Sequence, residues 1–308
     1  MFNFLKRKEL NKSGNVIENK VKEEEELNFA LYLLFSNSFE INKDAIIKRI
    51  NSINVAKKLK IKLEAVDDSH VKDSLYLNMV INNHKFKLIG LDAPLPENIV
   101  RRTIRCGHGR KDELARMEEN KYYVIAFYEG NSKDMNKIFN AYSKLAYGFL
   151  EHNLLGLVNG YNWNALTPSV IKRIAEEDSA KELANTATIM LWRNLIKIPY
   201  KDGVWFVTKG NNLYDVYEFA YFGTIEEAKE VYDIFENEFK YVYETKAHIT
   251  VGEVIKIKDN EYLRFREVYE LREVLQGDGL GTLVIEKIKS DETLLNIKEY
   301  SKKGDMKL

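Results

Sequence analysis

The densest concentration of chemically capable side chains is Arg101, Arg102, Arg105, Cys106, His108, Arg110 and Lys111. Arg101 and Arg105 are spaced to share one helix face, and Gly107 and Gly109 loosen the backbone just after them. Guanidinium forks match oxyanion geometry, so the functional reading is an anion or phosphate grip. The plainer reading is a solvated helix end, with Asp112, Glu113, Glu118 and Glu119 close enough in sequence to neutralise it. Basic side chains are also expected near a helix C-terminus from the macrodipole alone. Because surface charge clusters are common and mostly inert, the plainer reading leads.

Cys106 beside His108 suggests a thiol nucleophile, but catalytic Cys–His pairs meet through the fold rather than as sequence neighbours. A half-buried structural cysteine at a helix end fits better. His70, His84, His152 and His248 are scattered singly. Asp67, Asp68 and His70 read as turn formers before a strand rather than as a metal site. No H-E-x-x-H, paired cysteines or Walker loop occurs, so neither a metal nor a cofactor is expected. Gly277, Gly279 and Gly281 resemble part of a dinucleotide fingerprint, but a strand follows where that motif needs a helix. Glu244 and Lys246 with an upstream acid such as Asp233 imitate a nuclease constellation, a pattern that arises by chance in a chain that is 31% charged.

Two places resist dismissal. Asn162, Trp163 and Asn164 put an aromatic ring and two amides in a loop, where ligand contacts concentrate. Tyr214, Tyr217, Phe219, Tyr221 and Phe222 surround Glu218. The phenylalanines read as core; the tyrosines fit a core and an exposed interface patch equally well.

These residues need elements to hold them. Phe29–Phe35 is a strand-length apolar run. Asn42 caps a helix with Ile46, Ile47, Ile50 and Ile53 on its apolar face. Strands follow at 60–65, 74–81 and 86–91, the last two joined at Asn82-Asn83. Pro96 opens a helix through Ile104, and 122–128 is another strand. This β-α-β-β-β-α-β order predicts a ferredoxin-like split βαβ plan with one extra strand. Ser132 caps a helix in which Met135, Ile138, Phe139, Tyr142, Leu145, Ala146 and Phe149 make one apolar stripe.

Later segments predict a strand at 154–158, a loop at 160–164, a helix after Thr167-Pro168, and strands at 188–198 and 204–208 about Asp202-Gly203. Residues 188–198 also admit a helical reading. Thr224 and Glu227 form a capping box before a long helix. A hairpin about 258–260 and a strand at 282–288 complete the pattern. The fold class expected is α+β and two-layer, with the ferredoxin-like half packed on a second mixed α+β half containing antiparallel hairpins. Residues 1–26 read as a flexible leader, 27–152 and 153–289 as the two halves, and 290–308 as a polar tail.

Composition narrows the function classes. The chain has 308 residues, 45% of them hydrophobic, with 47 Lys+Arg balanced by 47 Asp+Glu. That is enough apolar material for a real core, and zero net charge argues against a dedicated nucleic-acid binder. A lone cysteine excludes an intramolecular disulfide scaffold. The N-terminus lacks the apolar stretch of an export signal, and no run approaches the ~20 residues that span a bilayer. A cytoplasmic protein without membrane contact is expected. Heavy use of Lys and Asn with four Pro suits an AT-rich bacterial or phage genome.

The opening strand, Ala93-Pro94-Leu95-Pro96 before a helix, the 122–128 strand, Gly156–Tyr161, and Thr208-Lys209-Gly210 leading to Glu218 together resemble the bacterial domain of unknown function 4261 family. The resemblance spans roughly residues 28–288 and departs from the family where the arginine-rich stretch replaces a tryptophan. It implies a cytoplasmic bacterial protein and carries no activity. The function expected is non-enzymatic protein binding, as an inhibitor or immunity-type factor against a toxin or nuclease effector. The binding residues named are Arg101, Arg102, Arg105, Arg110, Trp163, Tyr214, Tyr217 and Glu218. One alternative is a small-ligand or enzyme site between the halves using Trp163, Glu218 and His248; another is RNA binding through the Arg101–Lys111 cluster. Oligomeric state is left open.

Overall fold

In β1 (Phe29–Phe35), Leu31, Leu33 and Phe35 enter one apolar cluster while Leu34 enters another. A strand buried on both faces belongs at the centre of a sheet. The computed structural model, which describes residues 29–38, 40–53, 59–65, 75–107, 109–176, 191–277 and 279–289, places it there. The leader, Asp67, Asp68, His70, His108 and the tail lie outside the described residues.

Six further strands complete this sheet: β2 (Ile61–Ala65), β3 (Tyr76–Ile81), β4 (His84–Leu91), β5 (Tyr122–Tyr128), β6 (Leu154–Asn159) and β7 (Asn164–Leu166). Their order is β2-β3-β4-β5-β1-β6-β7, and every pairing is antiparallel. Within it, β6-β1-β5-β4 has the split βαβ order. The helix α1 (Lys43–Ser52) leaves β1, and two short helices, α2 (Glu97–Thr103) and α3 (Lys111–Glu118), stand between β4 and β5. The stripe helix α4 (Met135–Gly148) connects β5 to β6 across β1. The hairpin β2-β3 and the short β7 are additions to that core.

The Asn82 turn forms as expected, with φ 56°. Asp134 rather than Ser132 caps α4, accepting from Lys137 N, while Ser132 Oγ accepts from Asp134 N. The helix after Pro96 breaks at Gly107, and α3 is a separate element. α1 and α4 cover one face of the sheet; α2 and α3 cover the other around Leu34, Val158 and Ala165. Each aliphatic side chain so buried contributes about 1.5–3 kcal/mol.

The boundary placed near 152 moves. β6 hydrogen-bonds to β1 and β7 to β6, so both belong to the first sheet. Chain order hid this because a strand's partners are set by tertiary pairing. The second sheet comprises β8 (Asn194–Tyr200), β9 (Gly203–Lys209), β10 (Glu218–Gly223), β11 (Val254–Lys258), β12 (Glu261–Arg266) and β13 (Thr282–Lys289). Its order is β11-β12-β13-β10-β9-β8. The pairings are antiparallel except β10 with β13, which is parallel. Residues 194–198 are therefore strand rather than helix. The helix α5 (Pro168–Glu176) follows β7, and α6 (Ala228–Thr245) follows the Thr224–Glu227 capping box.

The α+β expectation holds, and one apolar cluster runs through both halves. Phe139 of α4 stacks on Trp192 with ring centroids 4.7 Å apart and planes at 3°. Among the described residues no helix is long and apolar enough to cross a membrane.

Gly156 of β6 leaves no room for a side chain in this arrangement. A Cβ there would lie 2.3 Å from Met117 Cε and 2.7 Å from the Leu166 carbonyl oxygen. Gly156→Ala should lower stability by about 1–3 kcal/mol in urea unfolding. Gly160→Ala, whose Cβ would have only Tyr32 Cε2 near it at 4.0 Å, should change little. Equal effects would show that the β1-β6-β7 edge is not close-packed.

Candidate functional site

The polar residues with the most unusual surroundings gather where the two halves meet. The β6–β7 turn carries Asn162 and Trp163, the latter at φ 53°. Opposite it, the chain leaves β9 through Gly210 at φ 99°. A Cβ on Gly210 would meet Asn162 Cβ at 2.8 Å and the Trp192 carbonyl oxygen at 3.0 Å, so a side chain here is barred by both conformation and space. Asn194, at the start of β8, donates through Nδ2 to the Trp163 carbonyl at 2.8 Å and to the Cys106 carbonyl at 3.3 Å. Asn164 Nδ2 donates to the Leu191 carbonyl at 3.2 Å.

Trp163 stands between cations from both halves. Lys209 Nζ lies 4.7 Å from its ring centroid and Arg102 Cζ 5.6 Å, both within cation–π range. Lys209 is buried and donates to the Val274 carbonyl at 2.8 Å. Arg102 is exposed, and among the described residues it has no carboxylate partner. The other named arginines do: Arg101 with Glu97, Arg105 with Glu97 and Glu118, and Arg110 with Asp112. Glu118 is the main influence holding Arg105 more firmly protonated than usual, and Asp112 acts likewise on Arg110. The geometry thus singles Arg102 out of the cluster. Cys106 is half-buried, its Sγ 3.8 Å from the Arg101 carbonyl, and burial pushes its thiol pKa upward. A raised pKa disfavours the thiolate that a nucleophile requires.

Glu218 is fully buried behind Lys209. Its Oε1 accepts from Gly210 N at 2.7 Å and Asn212 N at 3.3 Å, and its Oε2 accepts from the Thr208 hydroxyl at 2.7 Å. It therefore fixes the connection between β9 and β10. Burial raises its pKa, while the Thr208 hydroxyl, the two backbone donors and the Lys209 charge oppose that rise. Tyr214 is buried with its hydroxyl on Asn136 Oδ1 at 3.0 Å, and burial carries its pKa upward. Tyr217 is half-buried, 5.9 Å from the His248 ring. Of the aromatics around Glu218, Phe222 alone is exposed, at 41%. The remainder belong to the interior, so Trp163 and Glu218 converge through Lys209 while Tyr214 and Tyr217 lie with the core.

One residue, Arg193, was missed by sequence reasoning as a functional candidate, and Asn162 was named only together with its loop. Arg193, 1% exposed, pairs with Glu236, donates through Nη1 to Asn211 Oδ1 at 3.1 Å and lies 3.4 Å over the Phe239 ring. Burial lowers its pKa against the pull of Glu236. The signal for it was an arginine directly after Trp192 in an apolar stretch. Asn162 was seen only as part of a loop. It is 0% exposed, and among the described residues neither Nδ2 nor Oδ1 has a hydrogen-bond partner. A buried carboxamide costs free energy unless something satisfies it.

Glu218→Ala should leave three donors without an acceptor and cost about 1–3 kcal/mol, measured by chemical denaturation. Glu218→Gln should cost less because it retains one carbonyl oxygen. The pH sign follows from the raised folded pKa. The folded chain binds this proton more tightly than the unfolded chain, so the contribution is complete below the ordinary value of 4.5 and is lost as pH rises through the folded value. Replacing Glu218 by Gln should flatten that part of the stability profile; an unchanged slope would place its cause elsewhere.

Comparison with known proteins adds no family: no family model, no curated protein and no solved structure matches this chain.

Proposed function

We propose that this chain is a non-enzymatic cytoplasmic binding protein that captures an acidic protein partner on the Arg102–Trp163 face, in the manner of an inhibitor or immunity-type factor. The observation supporting this is the pairing pattern: Arg102 stands over Trp163 without a carboxylate, while Arg101, Arg105 and Arg110 hold acidic neighbours. Arginine and tryptophan are the residue types that dominate binding hot spots. Tyr161, 43% exposed, lies two residues away. A single available guanidinium on an aromatic plate suits one carboxylate of a partner. A nucleic acid would call for several unpaired cations along a track, so an RNA partner is the weaker fit. The acidic metal-binding cleft of a nuclease effector is the kind of surface this face would cover.

A second reading, a small ligand within the seam, is favoured by the unpartnered carboxamide of Asn162. Among the described residues Asn159 Nδ2 and Asn212 Oδ1 are likewise buried and unpartnered. Such a ligand would supply both donors and acceptors.

The two readings separate in one experiment. Affinity capture from host lysate with wild-type, Arg102→Glu and Trp163→Ala baits, quantified by mass spectrometry, should yield a stoichiometric protein that both variants reduce at least tenfold, about 1.4 kcal/mol. Arg110→Glu should retain it. Retention by all variants overturns the assignment of this face. A bound small molecule lost in Asn162→Leu would favour the second reading.

A further inference from the structure

The outer face of the second sheet contains a cleft unrelated to the seam. β10 and β13 run parallel and pair from Glu218–Thr282 to Ala220–Val284. Beyond that point their ladder stops, although β10 continues to Gly223 and β13 to Lys289. The diverging ends open a cleft of about 370 Å³, lined by Trp205, Tyr221 and Phe222 on one side and by Arg264, Arg266 and Glu286 on the other. Its volume is at the small end of the range for ligand pockets.

The lining specifies a chemistry. Trp205 is 3% exposed, and among the described residues its Nε1–H has no hydrogen-bond partner. This donor requires an acceptor. Phe222, 5.2 Å from Trp205 and 41% exposed, offers a ring face for stacking. Opposite, Glu286 accepts from Arg264 at 2.6 Å and from Arg266 at 2.6 Å, and Glu270 accepts from Arg266 at 2.9 Å and 3.0 Å. Carboxylate oxygens hold more than one lone pair, so each can accept a further donor. Lys287, the remaining cation of the lining, is paired with Glu230. With its charges answered internally, the cleft suits an uncharged ligand that presents a planar ring, an acceptor and an adjacent amine.

We propose that this cleft binds an aminopurine-type base. Its ring would stack on Phe222, a ring nitrogen would accept from Trp205 Nε1–H, and the exocyclic amine would donate to Glu270 or Glu286.

The test is titration of the full chain with adenosine, followed by tryptophan fluorescence and calorimetry. Inorganic phosphate and an oligoadenylate serve as separate arms. Adenosine should bind. Trp205→Phe, which keeps the ring but removes the N–H, should weaken binding about tenfold. Phe222→Ala, at an exposed position, should weaken it at least as much, with both variants confirmed folded by circular dichroism. Binding of free adenosine without oligoadenylate would make the ligand a small molecule, whereas tighter oligoadenylate binding would make it a base of RNA. Absence of adenosine binding, equal binding of phosphate, or affinity unchanged in both variants would overturn the proposal. The seam face plays no part in the cleft, so Arg102→Glu should leave adenosine binding intact.

Discussion

The stack of Phe139 on Trp192 is the contact on which the two halves depend. Trp192 enters the shared core to make it, and Arg193 and Asn194, which follow it in the chain, are buried too. A buried guanidinium is costly unless charge and hydrogen bonds answer it. Glu236, Asn211 and the Phe239 ring do so for Arg193. The Asn194 amide instead reaches back to the Trp163 and Cys106 carbonyls, fastening β8 to the β6–β7 turn and to the end of the arginine segment.

Glu218 plays the matching part on the other side. Three donors from one short connection converge on its carboxylate, so the backbone through Gly210 keeps a shape that brings Lys209 under Trp163. Thr208, Lys209, Gly210 and Glu218, adjacent or nearly so in sequence, act here as one structural unit. Its role is to hold the seam, and the side chain that reaches solvent there, Arg102, comes from the first half.

The second sheet resolves its polar groups differently. On its outer face Arg264, Arg266, Glu270 and Glu286 pair with one another, while among the described residues the Trp205 indole N–H remains without an acceptor. Val268, Leu271 and Leu275 cover one end of that face over Val207, Ala220 and Val284. The end where β10 and β13 part is left open.

Much of this was legible along the chain. The apolar run 29–35, the Asn82-Asn83 turn, the α4 stripe and the Thr224–Glu227 box each encode their element locally, because run length, period and capping are properties of neighbouring residues. Trp163 and Glu218 could be singled out for the same reason: an aromatic in a polar loop and an acid among aromatics stand out in one dimension. What the sequence by itself determined was therefore the α+β content, most elements of the first sheet and the balance of charge. Tertiary structure alone decided that β6 and β7 join the first sheet and that, among the described residues, Arg102 is left without the acid its neighbours find and Asn162 is buried with nothing to bond. Each of these depends on which distant backbone or carboxylate arrives alongside, and pairing across the fold leaves no periodic trace in the residues that undergo it.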